Sequence, residues 1–169
     1  MKRFSKVLVS ALGALSLAAI GSATVLAHDE HRILEFDSMT PVTGAAVGTA
    51  NDRGLTGGGL PWVIASGTGE VTRSGHVHVT VTGLVIPARG NVNPIGSFKA
   101  VVSCVTQHHA IVNVSTGLFP ADAAGNSTID DTVSLPDRCK HPIVFVTNAG
   151  GSWFAMSNRH GQDEEEGDD

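Results

Sequence analysis

The sequence predicts an all-β chain: an antiparallel β-sandwich of Ig-like, Greek-key type with one disulfide. Three observations predict it. Apolar runs of strand length recur between clusters of Gly, Pro, Asn and Asp, and none of them keeps a helical period over three turns. The segment His76 to Thr82 alternates strictly between polar and apolar residues, the period of a strand with one face buried. Cys104 and Cys139 are the only cysteines, and an even pair in an exported protein is most simply one disulfide.

Export is read from the first residues. Met1 to Lys6 form a basic stretch, Val7 to Ile20 an apolar run, and Val25-Leu26-Ala27 places small residues where a signal peptidase reads them. As a helix, Val7 to Ile20 rises only about 21 Å, short of the roughly 30 Å of a bilayer core. Residues 1–27 are therefore expected to be a signal peptide, 28–158 a β-sandwich domain and 159–169 a disordered acidic tail. Removing 27 of 169 residues leaves 142, enough for one domain with a sizeable core. No later run is apolar and long enough for a transmembrane segment after signal cleavage, so the expected location is extracellular.

The strands follow in order. Ile33 to Met39 is the first, and the glycine-rich stretch Val42 to Gly59 is a broken edge or a long loop. Trp62 to Ile86 reads as one hairpin. Pro87 to Gly96 is a loop, and Phe98 to Thr106 and Ala110 to Thr116 form a pair around Gln107-His108-His109. Phe119 to Asn126 is a turn region, followed by strands at Thr128 to Leu135, Pro142 to Thr147 and Ser152 to Ser157. About seven to nine strands at this spacing favour a Greek-key sandwich over an up-and-down barrel.

Within the central hairpin the register can be derived. A three-residue turn at Arg73-Ser74-Gly75, with Gly75 in the left-handed conformation, sets Val71 against Val77, Glu70 against His78 and Thr72 against His76. A two-residue turn would oppose Val71 to His78 and mix the faces. The derived register buries Val71, Val77, Val79 and Val81; Val101, Val144 and Val146 occupy the same apolar phase in their own strands.

Charge excludes one class of partner. The chain has 11 Lys and Arg against 16 Asp and Glu; without Lys2, Arg3 and Lys6 the balance is 8 against 16, or −8. Six of those acids lie between Asp163 and Asp169, and no basic stripe of the kind that phosphate backbones attract is present, so nucleic acid is not an expected partner.

Several stretches resemble an uncharacterised family of small exported bacterial all-β proteins with no known activity. They are Gly59-Leu60-Pro61-Trp62, Gly83-Leu84-Val85, Phe98 with Val102-Ser103-Cys104, Asn113 to Thr116, Leu135-Pro136 with Cys139, Pro142 to Thr147, and Trp153-Phe154-Ala155. The resemblance implies export, the disulfide and an all-β fold, and it implies no substrate.

Histidine is the over-used chemical residue, eight against no tyrosine. His76 and His78 share one face of one strand, roughly 6.5 to 7 Å apart, and Glu70 is expected opposite His78. Two imidazoles and a carboxylate make a candidate zinc or copper site; the alternative is a solvated face of a half-buried sheet. His28 would become the new N-terminus after cleavage. Its amine and imidazole then suggest a copper-holding histidine brace of the sort used by copper-dependent oxidases, if another histidine lies close by. No Gly-x-Ser-x-Gly elbow or phosphate-loop spacing occurs. The carboxylate pairs Glu35/Asp37 and Asp130/Asp131 read as solvated acids, and Trp62 and Trp153 as core anchors. The expected function is a secreted, non-catalytic binding or surface-associated module with an unknown extracellular ligand or cell-surface component. The alternative is an extracellular copper- or zinc-binding protein.

Overall fold

The computed structural model describes residues 31–158. The expected signal peptide (1–27), His28 and the acidic tail (159–169) lie outside the described residues. Ten strands make up two antiparallel sheets: β1 (Arg32–Phe36), β2 (Met39–Pro41), β3 (Ser66–Thr72), β4 (His76–Thr82), β5 (Ser97–Val105), β6 (Ile111–Ser115), β7 (Phe119–Pro120), β8 (Ser127–Thr132), β9 (Lys140–Thr147) and β10 (Trp153–Ser157). One sheet has the order β1-β3-β4-β8 and the other β2-β10-β9-β5-β6, with β7 also paired to β5. This order establishes an antiparallel sandwich; it does not establish an immunoglobulin arrangement.

The expected first strand is two strands. Asp37 and Ser38 interrupt it, and the chain leaves β3 as partner of β1 to enter the other sheet beside β10 as β2. Phe119 and Pro120, expected in a turn, pair with Phe98 and Ser97 at the start of β5. The stretch after β2 holds a short 3-10 turn, Gly44–Ala46, and lies against the outer face of the second sheet. There the Arg53 guanidinium donates to the Ser103 carbonyl and hydroxyl at 3.3 Å and to the His141 carbonyl at 3.1 Å. Asn113 Nδ2 donates back to the Arg53 carbonyl at 2.9 Å. These bonds engage the guanidinium of a residue that is only 9% exposed, as a buried cation requires.

The hairpin register is the derived one: Val71 faces Val77 and Glu70 faces His78. The regular ladder ends there, and Thr72 meets His76 through its hydroxyl, which accepts the His76 N–H at 3.1 Å. Gly75 has φ +94°, and a Cβ on it would run into the Val133 carbonyl oxygen, so the turn admits only glycine without strain. Inward from this hairpin, Val71, Val77, Val79 and Val81 are buried; Val144 and Val146 are buried on one face of β9, and Val101, opposite Phe145, is buried on the other face of that sheet. Each such side chain contributes about 1.5–3 kcal/mol of transfer free energy. Phe36 pairs with Gly69, where a side chain would strike its ring.

Both tryptophans are core residues. Trp62 stacks on Phe154 with centroids 4.2 Å apart and meets Phe98 edge-on at 6.5 Å; Trp153 meets Phe145 at 5.8 Å. Cys104 and Cys139 form the disulfide, their Cα atoms 4.8 Å apart. It ties the inner face of β5 to the segment entering β9, and is compatible with an extracellular setting. Among the described residues no helix is long and apolar enough to cross a membrane.

Candidate functional site

Because the valines of β4 point inward, His76, His78, Thr80 and Thr82 face outward along the middle of the four-stranded sheet, each half-buried by its neighbours. The register carries this polar phase across all four strands. Glu35 on β1 lies opposite Glu70 on β3, Glu70 opposite His78, and His78 opposite Asp130 on β8. A row of four ionisable side chains thus crosses the sheet at right angles to the chain, spaced as cross-strand neighbours.

The row divides into two groups. Arg32 Nη1 reaches Glu35 at 3.0 Å and Glu70 at 3.4 Å, which draws the Glu70 carboxylate toward β1. Asp130 is directly opposite His78 and diagonal to His76, so its carboxylate reaches both rings: Oδ1 lies 2.8 Å from His76 Nε2 and Oδ2 lies 3.3 Å from His78 Nδ1. A carboxylate only accepts, so His76 carries a proton on Nε2 and His78 on Nδ1. The His76 bond, and then the His78 bond, hold the Asp130 carboxyl below its ordinary pKa. The adjacent Asp131 turns the other way. It accepts the Gly117 and Thr132 N–H groups, each at 2.8 Å, and these lower its pKa as well.

The expected set Glu70, His76 and His78 therefore shares one face without converging on one point. Among the described residues no group of three or more His, Cys, Asp or Glu is arranged to hold a metal ion. The physical reason is competition: Arg32 engages Glu70, and both imidazoles direct N–H groups, not lone pairs, at Asp130. The other described histidines belong to other segments. His31 precedes β1, His108 and His109 sit in the β5–β6 turn, and His141 is exposed on β9. Asp130 is the participant that sequence reasoning missed. Its only local signal is the polar phase of Thr128, Asp130 and Thr132 around buried Ile129.

Beside the His76 ring an open groove of about 670 Å³ runs over the end of the hairpin, lined by Arg32, Glu70, Thr72, Ser74, His76 and Thr132. It offers a cation, a carboxylate, hydroxyls and an imidazole at one shallow surface. With Trp62 and Trp153 both buried, neither contributes an aromatic platform to this face. No known protein family, curated protein or solved structure matches the chain.

Proposed function

We propose that this chain is a secreted, non-catalytic β-sandwich that binds a polar component of the cell surface through the outer face of its four-stranded sheet. The observation that carries this reading is the gathering of Arg32, Glu70, His76, His78 and Asp130 on one face of the four-stranded sheet beside an open groove. Side chains held on paired strands are pre-positioned, so little ordering cost remains at binding. The groove's openness suits an extended partner rather than an enclosed small molecule.

The test is retention of isotope-labelled purified protein on washed cells of the producing organism. A His76→Ala/Asp130→Ala variant with unchanged circular dichroism is expected to bind about tenfold more weakly, a loss of about 1.4 kcal/mol. Equal retention of parent and variant would remove this face from the reading.

A second reading, zinc or copper(II) as the ligand of the same patch, is favoured by the meeting of two imidazoles with one carboxylate. It requires a cation to displace the ring protons that now face Asp130. Zinc and copper(II) titrations of the parent and a His76→Ala/His78→Ala variant decide it, equal affinities counting against the site.

A further inference from the structure

A second cavity, of about 380 Å³, opens at the end of the sandwich where β1 meets the start of β9. Apolar Ile33 and Leu135 line it together with three cations, Arg73, Arg138 and Lys140, and one acid, Asp137. This concentration of positive charge stands out in a chain of net charge −5. Three cations elsewhere in the described region have protein acceptors: Arg32 has Glu35 and Glu70, Arg53 has the Ser103 and His141 carbonyls, and Lys99 has the Ala149 carbonyl. Among the described residues no carboxylate forms an ion pair with Arg73, Arg138 or Lys140. The disulfide at Cys139 anchors the segment that carries two of them.

We propose that this cavity is an anion site that takes the carboxylates of an acidic peptide. It shares no lining residue with the groove beside His76 and does not depend on the role of the histidine face. Guanidinium groups match carboxylates with paired, charge-assisted hydrogen bonds, and the apolar lining reduces competition from water.

Two sources of such a peptide share this chemistry. One is a separate molecule; the other is the segment Asp163 to Asp169 of this same chain, with its six acids. Strand β10 runs antiparallel to β9, with Met156 opposite Phe145 and Ser157 Oγ accepting the Val144 N–H at 3.0 Å. The chain therefore leaves β10 travelling toward Lys140. From Asn158 to Asp163 an extended chain spans up to about 16 Å, and the three residues from Ile143 back to Lys140 cover about 10 Å, so the first acids are within reach.

The experiment titrates a synthetic peptide copying residues 163–169 into the full chain and into a chain ending at Gln162, at low and high salt. Binding to the shortened chain is expected to weaken at least tenfold in Arg138→Gln/Lys140→Gln and in Arg73→Gln, to be unchanged in Arg89→Gln, and to weaken with salt. A tenfold weaker affinity of the full chain for the peptide assigns the site to the chain's own tail, and equal affinities assign it to a separate acidic peptide. No binding up to about 1 mM, roughly −4 kcal/mol, or binding indifferent to all three cations, would overturn the proposal.

Discussion

Asp130 couples the two histidines of β4, and the sign of its pKa shift makes that coupling measurable. Its carboxyl is held below the ordinary value of 3.8 by hydrogen bonds from His76 and His78. A group whose folded pKa is depressed contributes stability that is present above the unfolded pKa and lost as pH falls through the folded one. Acidification below 3.8 should therefore remove the Asp130 contribution, and Asp130→Asn should flatten that part of the stability-versus-pH curve. Urea unfolding of parent and variant from neutral to acid pH checks this; parallel curves would show that the bonds do not outlast solvation. Asp122 and Asp131 are shifted in the same direction by hydrogen bonds from Asn126 and from the Gly117 and Thr132 N–H groups. They remain in the variant, so only part of the acid sensitivity is expected to disappear.

At the level of elements, the β3–β4 hairpin decides which residues form the candidate face, because a one-residue slip would exchange valines for histidines. Gly75 is the point on which the turn depends, through its φ of +94° and the nearness of the Val133 carbonyl. Gly75→Ala is expected to lower stability by about 1–3 kcal/mol, read as a shift in the urea midpoint. A shift near zero would mean that the turn relaxes without cost. This element was legible before the structure: turn length, glycine position and strict alternation are all local. The first strand was not. Nothing between Ile33 and Met39 states that the chain changes sheets at Asp37 and Ser38, because that change is set by where β3 and β10 stand.

Across the whole molecule, the Cys104–Cys139 link connects β5 with the entry to β9, across a sequence separation of 35. In the chain-entropy model such a loop removes roughly 3 to 4 kcal/mol of freedom from the unfolded chain. Reduction should lower the calorimetric melting temperature accordingly, and an unchanged temperature would show that the two-sheet core alone holds the fold. The same segment carries Arg138 and Lys140, so reduction is also expected to weaken peptide binding at the basic cavity more than it alters the histidine face.

Several properties were determined by the sequence alone: the strand class, the hairpin register, the buried valine set and, by count, the cysteine pairing. Each rests on information held within a few residues or on a choice with one outcome. The meeting of His76 and His78 with Asp130 rests on none of these. Asp130 lies 52 positions from His78, and an antiparallel neighbour at that distance leaves no local mark of which strand it will join. Arg32 reaches Glu70 across 38 positions, and this long-range contact took the expected carboxylate away from the histidines. Only the tertiary structure decided the composition of the site, because the order of strands in a sheet is set by global packing, whereas the face a side chain occupies is set by the period of its own strand.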